Sequence, residues 1–404
     1  MKSIIAPLFI FLGLVGIGLL FFLSQKANKG PRLKRLSWDE VTIGQIHQDR
    51  ALVLSGIFKS IQILDGKGEQ DTFQLADAYV SRKALLASLK RLQDLFADSS
   101  SQEGLLQSLR DEFIPYEIQD NSGDTGSMLV TGYFQPRLKA STNETGQFAY
   151  PVYGWPPDLI KVHLTRFDPA LPAKTIWGRV VGRQLVPYYS RKDIEEKHPF
   201  PKGLALCWLS SPVDLLELQI QGSAIIDLDK GPTHFIHYAA SNGLEYKSIG
   251  KILIKKGILQ PGQLDWPSIR QWAQTHKKQF GELVYENPRY IFFQWEEKGP
   301  IGCYGKVLVP GTSVALDDTV FPPAMPALLV MKWPDIKKGP KWFRKAQGPL
   351  LVFHHDKGSA IKGPFRLDLY CGSGNEAGLL AGRLKNRARL LILLHRSVRL
   401  REQS

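Results

Sequence analysis

Residues 356–374 read DKGSAIKGPFRLDLYCGSG. Two carboxylates, Asp356 and Asp368, stand twelve residues apart in a segment punctuated by Gly and Pro, the composition of a strand, a turn and a second strand. Within PFRLDLY (364–370), Phe365, Leu367 and Leu369 share one face, and Arg366, Asp368 and Tyr370 share the other. Asp368 therefore falls in mid-strand, where Asp is disfavoured. Gly372 and Gly374 follow at once, leaving room for a second backbone or a ligand. Asp356 closes the apolar run GPLLVFHHD (348–356), a position where a turn-forming Asp is ordinary. Asp317, with Asp318 beside it, closes TSVAL in the same way. Only the mid-strand carboxylate calls for a chemical reason.

The chain around this segment is a series of short strands. NPRYIFFQW, GTSVALDD, LLVMKW, GPLLVFHHD, PFRLDLY and ARLLILLH follow one another at roughly ten- to fifteen-residue spacing with Gly/Pro turns, the pattern of a compact barrel or sandwich. Upstream, SMLVTGYFQP (127–136) alternates as a strand, with Thr131, Tyr133 and Gln135 on one face and Val130, Gly132 and Phe134 on the other. DLLELQIQGSA (214–224) also alternates. It predicts a half-buried strand with Leu216, Leu218 and Ile220 inward and Glu217, Gln219 and Gln221 outward. That amide face is either a solvated sheet surface or the wall of a sugar groove. Residues 81–97, with Leu85, Leu86, Leu89, Leu92 and Phe96 at helical spacing, predict a helix, as do 102–113 and 266–280. YAASNGLEYKSIGKILIKKG (238–257) predicts a helix interrupted at Asn242-Gly243.

Composition narrows the class. A chain of 404 residues has room for two or three domains. Gly and Pro together number 62, about 15%, which favours a β-rich or α+β protein over a helical bundle. The net charge of +14 is either a solvated basic surface or a sign of an anionic partner. Without a P-loop, zinc-finger spacing or RNP-like motif, nucleic acid is not the expected partner. The three cysteines, Cys207, Cys303 and Cys371, imply no disulfide framework. His354 and His355 are adjacent in a strand and point to opposite faces, and no cluster of Glu or Cys stands nearby, so no metal is expected. Cys371 lies on the opposite face from Asp368 and reads as packing.

Residues 4–23, IIAPLFIFLGLVGIGLLFFL, carry no charge and are long enough to cross a bilayer as a helix. No small-residue cleavage pattern follows, so an uncleaved N-terminal anchor is expected. Lys26, Lys29, Arg32, Lys34 and Arg35 come after it, and only Lys2 before. The positive-inside rule would then keep the body cytoplasmic. The same residues also suit anionic headgroups.

Eight blocks in order carry a resemblance. They are VTGYFQP (130–136), YPVYGWPPDL (150–159), PYYSRKDIE (187–195), PVDLLELQIQGSA (212–224), YAASNGLEYKSIG (238–250), NPRYIFF (287–293), GPIGCYGKVLVPGTSVALD (299–317) and DKGSAIKGPFRLDLYCGSGNEAGLLAG (356–382). Together they resemble the membrane-bound lytic murein transglycosylase A family over roughly residues 125–385. The resemblance implies a mainly β fold with flanking helices: a double-psi β-barrel domain, an inserted second β-rich domain and an N-terminal transmembrane helix. The implied divisions are 1–35 for anchor and basic linker, 36–140 for the first part of the barrel, 141–284 for the insert and 285–404 for the rest of the barrel.

The family cleaves the β-1,4 bond between N-acetylmuramic acid and N-acetylglucosamine in peptidoglycan and leaves a 1,6-anhydromuramoyl end, with no cofactor. By position its catalytic aspartate matches Asp368, and the other two aspartates of its three-aspartate domain match Asp356 and Asp317. Thr131, Tyr133, Gln219, Gln221, Gly222, Ser223, Ala240, Ser241 and Asn242 are the expected substrate contacts. The expected partners are peptidoglycan glycan strands and, through the N-terminal helix, a membrane; cell-wall synthesis or division partners are left open. Peptidoglycan lies in the periplasm, so the resemblance implies an inner-membrane anchor with a periplasmic body, against the charge rule. Two rival readings are a non-catalytic peptidoglycan-binding tether and a two-carboxylate glycoside hydrolase using Asp356 and Asp368.

Overall fold

The computed structural model describes residues 30–402 except 67–70, 121–122, 124–126, 198–199, 201, 262–265, 337 and 346–347. The expected membrane span, residues 4–23, lies outside the described residues. Among the described residues no helix is long and apolar enough to cross a membrane.

Six strands close into a ring: Lys385–His395, Pro326–Met331, Leu350–Asp356, Ser313–Ala315, Arg366–Ser373 and Met128–Gln135, the last pairing back onto Lys385–His395. Two contacts in the ring are parallel, Ser313–Ala315 with Leu350–Asp356 and Arg366–Ser373 with Met128–Gln135. The other four are antiparallel. Closure removes the open edges a flat sheet would present. Alternation then sends Val130, Val314, Leu351, Leu367, Leu369 and Leu391 into one core. Phe113–Gln119 and Arg32–Arg35 extend the sheet from the long strand Lys385–His395.

Helices wrap this barrel where the leucine spacing predicts them. Arg82–Asp98 begins at Ser81, whose hydroxyl accepts the Ala84 N–H, and it buries Leu85, Leu89, Leu92 and Phe96. Gln102–Glu112 begins at Ser101 in the same way. Asn375–Arg383 lies directly on the Thr131 strand. A Cβ on Gly132 would stand 2.8 Å from both the Ala381 Cα and the Cys371 Sγ, so only glycine admits that helix. Cys371 is buried there as packing.

The second body is a six-stranded sheet in the order Ile291–Glu296, Thr233–Ser241, Ser223–Leu228, Arg137–Ser141, Ala205–Leu209, Tyr150–Tyr153. Arg137–Ser141, which runs across the expected junction at 140/141, and Ile291–Glu296, which follows the one at 284/285, both pair in this sheet. Ile160–His163, Thr175–Val181 and Gln184–Pro187 form a smaller three-stranded sheet.

Two expectations from periodicity fail here. Pro212–Gln221 is a helix, not a strand. Ser211 caps it by accepting the Val213 N–H, Pro212 occupies the first turn, and Gly222 ends it at φ +80°. The leucines that mimic strand alternation bury on two sides of the helix, Leu216 into one cluster and Leu215 and Leu218 into another. The stretch 238–257 is not an interrupted helix either. It finishes the strand Thr233–Ser241, held between two neighbours, and only Ile249–Lys255 is helical, capped by Ser248. Residues 266–280 divide into Trp266–Thr275 and the start of Lys277–Val284.

Candidate active site

Strand register puts the two aspartates of the opening segment level with each other. Ala315, in the short strand between them, pairs with Asp356 on one side and with Asp368 on the other. Two strand spacings separate them, about 10 Å between Cα atoms. Asp368 in turn pairs with Thr131 across a parallel contact, and Tyr370 with Tyr133. One row across the barrel wall thus reads Asp356, Ala315, Asp368, Thr131.

The three aspartates differ in what holds them. Asp368 accepts one hydrogen bond, from the Thr131 hydroxyl to Oδ1 at 2.7 Å; its Oδ2 has no partner among the described residues. Arg366 Nη2 donates to Thr131 Oγ1 at 3.3 Å and so orients that hydroxyl toward the carboxylate. Burial pushes the Asp368 pKa up to about 6; the Thr131 bond and the Arg366 charge oppose this, and the charge of Asp356 adds to it. Asp356 has both oxygens engaged. The Tyr133 hydroxyl donates to Oδ2 at 2.9 Å and the Cys303 N–H to Oδ1 at 2.9 Å. Burial raises its pKa, opposed by these bonds and by one from the Lys357 N–H. Lys357 turns its amine away to Asp318, 2.9 Å.

Asp317 is buried and faces a loop. It accepts from the Gly363 N–H at 2.6 Å and from the Thr319 N–H and hydroxyl at 3.1 and 2.8 Å. Burial pushes its pKa up, and these bonds outweigh it and hold the carboxyl below its ordinary value. Asp317 therefore pins the turn that leads into the Asp368 strand.

Tyr133 serves Asp356. Burial and the Asp356 charge hold its phenol well above the ordinary range, so it is a hydrogen-bond donor at any working pH. Its ring lies 5.4 Å from that of Tyr370. The Tyr370 hydroxyl is 3.1 Å from Ser373 Oγ, which donates to Gln135 Oε1 at 3.0 Å. The polar face of two strands is thereby tied into one network.

The expected contacts on the inserted body separate into two groups. Gln221 is at the junction: its Oε1 accepts the Phe134 N–H at 3.1 Å, fastening the helix end to the strand of Thr131 and Tyr133. Gly222 and Ser223 follow at the turn into Ser223–Leu228. Gln219, Ala240 and Asn242 face the interior instead and line no groove. Gln219 accepts from the buried Arg191 guanidinium, Ala240 packs in the aromatic core, and Asn242 is fully buried among backbone groups. Ser241 is buried and accepts the Gly243 N–H. Periodicity misassigned Gln219 because Arg191, distant in sequence, buries its second side, and the contacts expected from the resemblance at Ala240 and Asn242 are enclosed by residues as distant, among them the 287–290 segment.

Sequence reading missed three participants. Arg366 shares a face with Asp368, a signal that was visible. The Cys303 amide and the His237 imidazole, which bonds the Ile301 carbonyl and joins the inserted body to the loop gripping Asp356, had no local signal. His354 and His355 are committed to hydrogen bonds. His354 Nδ1 meets the Pro322 carbonyl at 2.8 Å, and His355 sits between Ser60 and Ser313, each at 2.8 Å. Burial lowers them to about 4 and about 3, so both are neutral.

The chain resembles known proteins in both sequence and fold. A family model described as the MltA specific insert domain matches residues 129–294, and one described as the 3D domain matches 312–394. Membrane-bound lytic murein transglycosylase A of Escherichia coli K12 is 30% identical over 277 residues, 68% of this chain and 67% of the relative. The Buchnera aphidicola homolog is 31% identical over 262 residues, 64% and 63% of the two chains. Among solved structures, a membrane-bound lytic murein transglycosylase from Agrobacterium tumefaciens superposes with TM-score 0.72 at 26% identity, covering 90% of this chain and 98% of that one. MltA from Neisseria gonorrhoeae superposes with TM-score 0.69 at 25% identity, covering 94% and 98%.

Proposed function

The chain belongs to the membrane-bound lytic murein transglycosylase A family, and on that premise we propose that Asp368 is its single catalytic acid and base. The enzyme cleaves the β-1,4 bond between N-acetylmuramic acid and N-acetylglucosamine in peptidoglycan and closes the muramoyl end as a 1,6-anhydro ring. The observation that carries the assignment is the occupancy of the carboxylates. Asp368 alone of the three keeps an oxygen free of protein donors, and it holds a proton up to about pH 6.

Protonated Asp368 donates to the glycosidic oxygen as the C1–O4 bond breaks, and the bonding pair leaves with the N-acetylglucosamine O4. The Asp368 carboxylate then accepts the proton of the muramoyl C6 hydroxyl as that oxygen bonds to C1. Protons balance, no water is consumed, and Asp368 is restored. The two-carboxylate hydrolase requires a second acid able to attack or to activate water. Asp356 already accepts Tyr133 and Cys303, which makes it a fixed charge that raises the Asp368 pKa, and Asp317 braces the adjoining turn. Thr131, Gln221, Gly222 and Ser223 line the junction where a glycan strand would lie.

The six-stranded ring with two parallel pairs supports the double-psi reading of the barrel. The run 4–23 supports a membrane anchor, and we place it in the inner membrane with the body in the periplasm, where peptidoglycan lies.

Incubating the detergent-solubilised full chain with purified peptidoglycan and weighing the products by mass spectrometry tests the reading. Anhydro-ended muropeptides are expected. Reducing ends would overturn it in favour of hydrolysis, and binding without release would leave the tether. The rate should also fall on the alkaline side. Asp368 must carry its proton to begin, so kcat/KM is expected to drop about tenfold per pH unit above about pH 6. Tyr133→Phe removes a donor from Asp356, which favours its protonation and weakens the like charge beside Asp368. The alkaline limb is expected to move to lower pH, with the fold retained; an unmoved limb would remove Asp356 from the tuning of Asp368.

A further inference from the structure

On the barrel, where the chain first enters it, a cleft of about 560 Å³ lies between the start of the sheet and the end of the helix Gln102–Glu112. Three guanidinium groups border it, those of Arg35, Arg110 and Arg396, with Trp38 and Phe113 as apolar wall and Asp39 as the one acid. Arg396 is fixed: its Nε and Nη2 donate to the carbonyls of Asp111 and Arg110 at 2.5 and 2.8 Å, capping the helix C-terminus. Arg35 and Arg110 have no side-chain hydrogen-bond or ion-pair partner among the described residues, and both are exposed. Trp38 is oriented by its indole N–H, which donates to the Phe113 carbonyl at 2.9 Å. Unpaired arginines over an apolar floor with a fixed tryptophan suit a ligand that is anionic at one end and greasy at the other.

We propose that this cleft seats the phosphate of an anionic phospholipid headgroup, docking the barrel against the membrane that holds the N-terminus. The inference rests on the anchor reading above. The position of the cleft argues for lipid over any other phosphate. Eight residues, 24–31, connect Leu23, the end of the apolar run, to Arg32, the first residue of the sheet, a reach of at most about 32 Å over nine steps. Arg35 closes that same first strand, so the cleft cannot stand far from the bilayer surface. Residues 24–35, SQKANKGPRLKR, carry five positive charges and no acid, and would approach the same leaflet. Docking would hold one face of the barrel to the membrane and fix the bearing of the substrate groove toward the wall.

The test reconstitutes the full chain with vesicles of phosphatidylcholine alone, and with vesicles that also contain phosphatidylglycerol. Flotation reads the anchor. Arginine labelling by phenylglyoxal, located by mass spectrometry, reads the cleft, with Arg183 of the inserted body as reference. The expected result is flotation with both lipids and several-fold weaker labelling of Arg35 and Arg110 only where phosphatidylglycerol is present. Arg110→Gln, which removes no hydrogen bond among the described residues, should weaken the anionic-lipid preference about fivefold, equivalent to about 1 kcal/mol. Flotation with unchanged labelling overturns the docking and leaves the anchor standing. Flotation with the anionic vesicles alone overturns the anchor and supports the docking; none with either overturns both. Equal protection by free inorganic phosphate added to neutral vesicles overturns the lipid assignment in favour of a free-anion site.

Discussion

Asp368→Asn is expected to lower the release of anhydro-muropeptides by about a hundredfold to ten-thousandfold while peptidoglycan binding persists. The substitution keeps the size of the side chain and the Thr131 contact and removes only the proton chemistry. A co-sedimentation assay beside the product assay separates the two effects. Residual activity near wild type would move the acid elsewhere and sink the single-carboxylate mechanism. The same variant carries an unusual stability signature. The folded pKa of about 6 lies above the ordinary 3.8, so the fold binds this proton more tightly than the unfolded chain does. Its stabilising contribution is complete below about pH 4 and is lost as pH rises through about 6. Above that, the native carboxylate costs up to about 3 kcal/mol, an upper bound because the side chain is partly open to solvent. Asp368→Asn should therefore be more stable than the wild type at pH 8 and equal to it near pH 4, as read by urea unfolding.

Asn242→Ala is expected to destabilise the inserted body by about 3–5 kcal/mol. The amide donates to the carbonyls of Tyr189 and Pro288 at 2.9 and 2.8 Å, and its oxygen accepts the N–H groups of Tyr290 and Leu244 at 2.9 and 3.3 Å. Alanine strands four backbone groups around a fully buried side chain, each with a desolvation cost of about 1–3 kcal/mol less whatever relaxation recovers. The protein that does fold should turn over at the wild-type rate per molecule, since no substrate reaches this site. A variant with unchanged unfolding midpoint but weakened glycan binding would restore Asn242 to the list of substrate contacts.

Buried polar residues of this kind explain where the linear pattern misleads. Gln219 looks like a groove residue because polar side chains at regular spacing normally face water, and Asn242 is expected there from the resemblance. Both are interior because distant segments bring matching groups: Arg191 to Gln219, and the 189 and 288–290 backbone to Asn242. The helix Pro212–Gln221 was legible in principle from Ser211, Pro212 and Gly222, signals that local alternation of leucines masks.

What the sequence determined by itself is local: the leucine-spaced helices with their serine caps, the alternating strands around Asp368 and Thr131, and the anomaly of an aspartate in mid-strand. These follow from the 3.6- and 2-residue periods, which act between near neighbours. How the carboxylates differ in their hydrogen-bond occupancy, on which the proposal for Asp368 rests, is visible only in the tertiary structure. Asp356 is occupied by a hydroxyl 223 residues away and an amide 53 residues away, whereas the one donor reaching Asp368, the Thr131 hydroxyl, leaves its second oxygen open. Proton affinity and hydrogen-bond vacancy depend on burial and on donors delivered by chain closure, and neither is a property of the residue's neighbours in sequence.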